Sequence, residues 1–269
     1  MEGARTVLDN VPLEQDSIEQ LMDAAWPACE REDAGPWVLR ASDGVTQRAN
    51  SVWPRHLDAG APETEVAAAV RHASTWYRDR RLPLIFQVFD DDRSAGLNDV
   101  LDGLRFTRQS ATQIMVRGTS GLPSSGDGRV ELSRRPSEEW LRLWWSVDGR
   151  GGEPELEVAR RILTGCPSVY ALVRDDGGQP AAVGRLAVTG GWGGIYGMAT
   201  SEAHRRRGYA TLVLDALLGQ GAKEDLKGFW LLVTAANHGA QSLYRRAGFT
   251  DYGSYLYRQA PLRRASSGC

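Results

Sequence analysis

Two stretches of the chain share one layout, and that repetition limits the folds open to it. GLNDVLDGLRFTRQSATQIMVR starts at Gly96 and GAQSLYRRAGFTDYGSYLYR at Gly239. In each, a glycine opens a helix-like stretch, a Phe-Thr pair follows ten residues later (Phe106-Thr107 and Phe249-Thr250), and an alternating strand comes next. Each is preceded by an apolar strand, LPLIFQVFD or FWLLVTAAN, and before that by a helical stretch, APETEVAAAVRHASTWYRDR or RGYATLVLDALLGQGAKEDL. Helix, strand, helix, strand, given twice, predicts two copies of one α/β unit. GTSGLPSSGDGR, from Gly118, is rich in Gly, Ser, Pro and Asp and has no periodicity, so it reads as a linker. The expected division is a domain at 1–117, a linker at 118–128, a second domain at 129–260 and a tail at 261–269 without structural signals.

The second half reads in more detail. PSEEWLRLWWSV is helical, with Ser137 suited to the N-cap and Glu138 and Glu139 in the favourable first turn. ELEVARRILTG is a second helix, stopped by Gly165. VYALVRD and PAAVGRLAVT are strands joined by the turn DDGGQ, and GIYGMAT is a short strand with a glycine inside it.

Between GIYGMAT and the next helix stands Arg205-Arg206-Arg207-Gly208-Tyr209-Ala210. The chain's net charge is −2, which excludes a generally basic nucleic-acid surface, so any anion binding must be local. Taken alone, the triplet also reads as a solvated cluster, because paired arginines recur along the chain. In its place before a helix it reads as an anion cradle. A helix N-terminus offers unpaired N–H groups and partial positive charge, Gly208 lets the backbone bend, and arginine adds charge-assisted hydrogen bonds. Cys29, Cys166 and Cys269 are far apart with no CxxC, which argues against a disulfide framework or a zinc site and fits a reducing cytosol. The N-terminal stretch has no apolar h-region, and no run of about 18 apolar residues occurs, so neither secretion nor a membrane span is expected.

The loop resembles the acyl-coenzyme-A-binding motif of the GNAT N-acetyltransferase superfamily, Gln/Arg-x-x-Gly-x-Gly/Ala, with Arg205, Gly208 and Ala210 at the three positions. A second family signature follows as Asn237-x-x-Ala240-x-x-Leu243-Tyr244-x-x-x-Gly248-Phe249. The resemblance covers residues 130 to 258 closely. The front half keeps the strand–helix–Phe pattern but has RHLDAGAPETE where the cradle would stand. The resemblance therefore implies an α/β (α+β) fold of two tandem GNAT-like domains, each a mixed, mostly antiparallel sheet flanked by helices. The N-terminal copy is degenerate and the C-terminal copy is the one expected to bind coenzyme A.

The same resemblance implies an acetyl-CoA-dependent N-acetyltransferase transferring directly to a primary amine of a small molecule or peptide. No nucleic acid, membrane or metal is implied. The alternative is a non-catalytic acyl-CoA-binding or regulatory module. Arg205, Arg206, Arg207, Gly208, Tyr209, Ala210 and Thr211 are expected to hold the cofactor's phosphates. The backbone of Met198, Ala199 and Thr200 is expected to hold the pantetheine and thioester. Tyr244 is the expected general acid toward the leaving thiolate, and Asn237 a cofactor or water ligand that also suits a helix N-cap. GGWGGIYGMAT has no carboxylate, so the base that many family members carry on this strand has no counterpart. Glu153 and Glu155, in GRGGEPELE, are the substitutes, while His238 is expected to face solvent. Trp144, Trp145 and Trp192 fall in segments that border the acceptor in this fold. Arg48, Asn50 and Ser51, read as part of a strand, are the front half's expectation for the acceptor side.

Overall fold

The computed structural model describes residues 6–8, 11–56, 60–123 and 128–261. Part of the expected linker (124–127), nearly all of the expected tail including Cys269, and 57–59 of RHLDAGAPETE lie outside the described residues. In chain order the elements are β1 (Thr6–Leu8), β2 (Val11–Leu13), α1 (Gln15–Ala25), β3 (Glu30–Ala34), β4 (Trp37–Ala41), α2 (Glu63–Asp79), β5 (Ile85–Phe89), α3 (Ala95–Gly103) and β6 (Thr107–Arg117). They continue as β7 (Val130–Ser133), α4 (Glu138–Asp148), α5 (Glu153–Leu163), β8 (Ser168–Arg174), β9 (Pro180–Thr189), β10 (Trp192–Thr200), α6 (Tyr209–Lys223), β11 (Phe229–Thr234), α7 (His238–Arg246) and β12 (Thr250–Gln259). Both repeats read in the sequence are present, as α2-β5-α3-β6 and α6-β11-α7-β12. No helix among the described residues is long and apolar enough to cross a membrane.

The chain forms two compact units that interleave along the sequence. The larger comprises 1–27, 113–233 and 237–252; the smaller comprises 28–112, 234–236 and 253–269. In the larger unit β7, β8, β9 and β10 are consecutive antiparallel neighbours, and β10 pairs with β11 in parallel. Its core gathers Val169, Ala171, Ala181 and Leu186 of the sheet against Val213, Leu214, Leu217 and Leu218 of α6. Helix α1 packs on β9 and β10, burying Ile18, Met22, Ala25 and Trp26. The sequence similarity divides the chain at 118–128, whereas this apolar face of α1 is covered by β9 and β10, strands beyond that division.

In the smaller unit α2 and α3 cover a core of Trp37, Leu39, Val70, Tyr77, Phe86 and Leu101. Strand β5 pairs antiparallel with β12, Gln87 standing opposite Tyr257. Strand β6 neighbours β11. Each repeat's last strand is therefore bonded to the penultimate strand of the other repeat. The segment from Arg48 to Ser51 is turn and bend, not strand. Asn50 is used up in holding it: Oδ1 accepts from the Ser42 and Gly44 N–H groups at 2.8 and 2.9 Å, and Nδ2 donates to the Val45 and Thr46 carbonyls at 2.7 and 2.8 Å. Ser51 accepts from the buried Arg40 guanidinium, which also donates to Gln87 Oε1 at 2.7 Å.

Local signals set the helix starts. Ser137 Oγ accepts from the Trp140 N–H at 3.1 Å and caps α4. Glu155 Oε2 accepts from the Gly152 N–H at 2.7 Å, so Glu153 and Glu155 belong to the first turn of α5 rather than to the preceding loop. Helix α6 can lie close on β9 because position 184 is glycine. A Cβ there would meet Met198 Sδ at 2.5 Å and Val213 Cγ1 at 2.7 Å. Overpacking of this kind costs about 1–3 kcal/mol. Gly184→Ala is expected to lower the urea midpoint by that amount of stability without changing the far-ultraviolet circular dichroism.

Candidate active site

The parallel pairing of β10 and β11 is short: Gly193, Gly194 and Ile195 stand opposite Phe229, Trp230 and Leu231, and the ladder ends there. The cause lies one residue on. Along β9 the register steps from Tyr196 opposite Arg185 to Ala199 opposite Val183, so β10 carries one extra residue. Gly197 takes φ +57°, and a Cβ there would meet Trp140 Cη2 at 3.2 Å. Beyond Ile195 the edge of β10 that faced β11 has no ladder partner. Its backbone groups are left for a ligand, at the carboxyl ends of two diverging parallel strands.

A cleft of about 670 Å³ opens at this divergence. Its walls are β10 (Met198, Thr200), the loop after it (His204, Arg205, Arg206, Gly208), the first turn of α6 (Tyr209, Ala210, Thr211) and α7 with its cap (Asn237, Ala240, Leu243, Tyr244). The volume is of the size that holds small-molecule ligands, roughly 300–1,000 Å³. Ala199 alternates to the opposite side of β10 and is buried there, and Arg207 is not part of the lining.

The loop has a backbone suited to an anion as well as the charge. Gly208 caps α6 in the left-handed region, φ +86°, and Arg206 also has positive φ, +64°. Nothing lies within 4 Å of where a Gly208 Cβ would be, so the space above it is open. The Gly208 carbonyl takes the Thr211 and Leu212 N–H groups at 3.0 and 3.2 Å. The N–H groups of Tyr209 and Ala210 in the first turn have no intrahelical acceptor. Such a loop makes a concave set of donors at the positive end of the helix dipole.

Tyr244 reaches the cleft from α7 and is otherwise buried, its ring edge-on to Phe249 at 6.1 Å. Burial pushes its phenol above the ordinary value, and the negative charge of Asp148, at the end of α4, adds to the shift. Asn237 Oδ1 accepts from the Ala240 N–H at 3.1 Å and so caps α7 while lining the cleft; His238 is exposed.

Sequence reasoning passed over a further group. His204, in a single turn of 3-10 helix after β10, has both ring nitrogens engaged. Asp175 Oδ2 lies 2.9 Å from Nε2, and Ser201 Oγ lies 2.5 Å from Nδ1. The hydrogen bond from His204 is the main cause holding the Asp175 carboxyl below its usual range. Ser201-x-x-His204 was a weak signal, and nothing local joins either residue to Asp175 in the β8–β9 turn.

The tryptophans expected at the acceptor side are not brought together there. Trp144 is buried between Trp26 and Trp140, with ring centroids 6.4 and 6.1 Å away. Trp192 is buried at the other end of β10, against Gly228. Trp145 keeps partial exposure and donates its indole N–H to the Gly151 carbonyl at 3.4 Å. Glu153 is exposed and Glu155 half-buried, and neither lines the cleft. No cluster of metal-ligating side chains occurs among the described residues.

A bulged strand that leaves its parallel neighbour, followed by a left-handed glycine at a helix start, is the architecture of the GNAT acyltransferases, and this chain is an acyltransferase of that class. Over residues 14–258 it matches, and belongs to, the family described as "Probable histone acetyltransferase Rv0428c C-terminal". It is 28% identical over 247 residues to the uncharacterized N-acetyltransferase YobR of Bacillus subtilis, covering 90% of this chain and 96% of that one. It is 31% identical over 229 residues to the probable histone acetyltransferase Rv0428c of Mycobacterium tuberculosis, covering 81% of this chain and 67% of that one. Among solved structures, the GCN5-related N-acetyltransferase from Kribbella flavida shares the fold at a TM-score of 0.69 and 20% identity, covering 92% and 96% of the two chains.

The cap makes its own prediction. Asn237→Ala is expected to cost about 1 kcal/mol of stability, the usual loss for an N-cap. Asn237→Ser should recover most of it in the same urea titration.

Proposed function

We propose that the cleft binds acetyl-CoA and that the enzyme transfers the acetyl group directly to a primary amine of a small molecule or peptide. One observation carries the reading. The unladdered edge of β10, the left-handed cradle at Gly208 and the hydroxyl-bearing Tyr244 line a single cleft. The thioester supplies an activated acyl group. Arg205, Arg206 and the first-turn N–H groups of α6 hold the pyrophosphate, with Arg207 adding charge nearby. Backbone N–H groups from Met198 to Thr200 align the pantetheine and donate to the thioester oxygen as negative charge grows on it.

In the transfer a C–N bond forms and the C–S bond breaks, while the amine loses a proton and the sulfur gains one. Tyr244 is the proton donor to sulfur. A thiol in water has a pKa of about 8.5, below that of a phenol, so full transfer to an exposed thiolate would run uphill. Burial raises the phenol and would raise a thiol enclosed beside it too, so that difference stands; the donation is coupled to C–S cleavage, and Tyr244 regains its proton from water. The cleft lining offers no carboxylate for the amine's proton, so the amine must arrive neutral or lose its proton to water. Trp145 and Glu153, which lie outside the cleft lining, are assigned to the approach of a cationic amine, while the Glu155 carboxylate is held by the Gly152 N–H. A relative named as a probable histone acetyltransferase makes the lysine side chain one amine to test.

Calorimetric titration of acetyl-CoA is expected to show binding to the wild type and none to Gly208→Trp, which fills the cradle. Equal affinities would sink the reading. Against a panel of amines that includes a lysine peptide, thiol release by Tyr244→Phe should fall about 10²–10⁴-fold in kcat. The rate should rise with pH as the acceptor deprotonates, with a lysine amine near pKa 10.4. Because the Tyr244 acid stays protonated to higher pH than usual, no loss of activity from its ionisation should be seen below about pH 10.

A further inference from the structure

We propose that Asp175, His204 and Ser201 form a positioning relay that fixes the anion cradle in its binding shape, a role that rests on the cleft being the acyl-CoA site. The loop from Ser201 to Gly208 has to hold two left-handed residues, Arg206 and Gly208, next to adjacent like charges. The loop's own backbone bonds, His204 N–H to the Ser201 carbonyl at 3.0 Å and Arg205 N–H to the Glu202 carbonyl at 3.3 Å, lie ahead of the two left-handed residues. Backbone strain and mutual repulsion of Arg205, Arg206 and Arg207 both favour a looser loop.

The relay opposes this by tying the loop to Asp175, which lies outside it in the β8–β9 turn. Asp175 is fixed first: its Oδ1 accepts from the Gly177 and Gln179 N–H groups at 3.0 and 2.8 Å, which locks the carboxylate into the β8–β9 turn. The ionised carboxylate has no proton to give, so His204 Nε2–H donates to it at 2.9 Å. That leaves Nδ1 facing the Ser201 hydroxyl at 2.5 Å, on the residue that ends β10's run. The imidazole also stands edge-on to the Tyr209 ring, centroids 5.6 Å apart at 81°. Tyr209 is the first residue of α6, and its N–H is one of the cradle donors. One ring thereby joins the end of β10, the hairpin turn and the start of α6, and it lines the cleft as it does so. His204 is a positioning residue: both its nitrogens are committed within the chain. Its effect on a ligand runs through the geometry of the Arg205–Ala210 donors.

The test separates the phosphate end of the ligand from the rest. Affinities for coenzyme A, for 3′-phospho-ADP (pyrophosphate without pantetheine) and for pantetheine (no pyrophosphate) are measured for the wild type, His204→Ala, Asp175→Asn and Ser201→Ala. Calorimetry serves the first two probes and ligand-observed NMR the third. The relay predicts that both phosphate probes weaken about tenfold in His204→Ala and Asp175→Asn, while pantetheine changes less than about twofold. Asp175→Glu should restore part of the loss. Thermal melting identifies any variant that fails to fold; Asp175→Asn, which keeps the side chain's shape, is then the deciding variant. Unchanged coenzyme A affinity in the folded variants, or an equal loss for all three probes, overturns the relay. A wild-type protein that binds no coenzyme A overturns the reading of the cleft itself, and that result appears before any variant is made.

Discussion

The site depends on the interruption of one ladder of hydrogen bonds. Two parallel strands that continue to pair leave no opening between them. Here β10 and β11 share three residue pairs and then part, because β10 carries an extra residue at Gly197. A side chain at that position would be forced toward Trp140, and the backbone conformation is one that glycine alone adopts without strain. The freed strand edge, the cleft beside it and the approach of α6 and α7 to its two sides all follow from that bulge. Around it the packing is glycine-permissive: Gly184 admits Met198 and α6, and Gly194 admits the Trp230 ring.

The charge of the cradle is organised in the same economical way. Arginines are plentiful in this chain, and several of the described ones are held by carboxylates: Arg174 by Glu131 and Glu139, Arg160 by Glu138, Arg245 by Asp251. What distinguishes the Arg205–Arg207 loop is its position on a helix start with a left-handed cap. The charges matter because donors of fixed direction stand beside them. A buried phenol at the far wall then completes a site whose two ends have different chemistry, ionic at the cradle and apolar and proton-bearing at Tyr244.

A good part of this was legible in the chain. Arg205, Gly208, Ala210, Asn237 and Tyr244 stand at fixed spacings, and the elements that carry them announce themselves through caps and alternation. The Ser137 cap, the start of α6 at Tyr209 and the repeated helix–strand–helix–strand order are all local properties, set within a few residues. The acceptor side was less legible. Trp144, Trp145 and Trp192 are equally aromatic on paper. Only packing tells that Trp144 and Trp192 are core, while Trp145 keeps a surface. Likewise Asn50 reads as a polar strand residue until its side-chain hydrogen bonds show it holding a turn.

The sequence by itself determined the repeat, the glycine-capped start of α6 after the arginines and the second motif, because each is a short-range pattern of sterics and hydrogen-bonding capacity. Tertiary structure alone decided three things. It paired β12 with β5 and set β6 beside β11, a choice that an alternating strand pattern cannot encode, since either partner offers the same ladder. It covered the apolar face of α1 with β9 and β10 from the later half of the chain, because an amphipathic helix specifies that it must be covered and not by what. It also brought Asp175 within 2.9 Å of His204 across 29 residues, a contact that exists because the β8–β9 turn and the loop after β10 lie at the same end of the antiparallel strands.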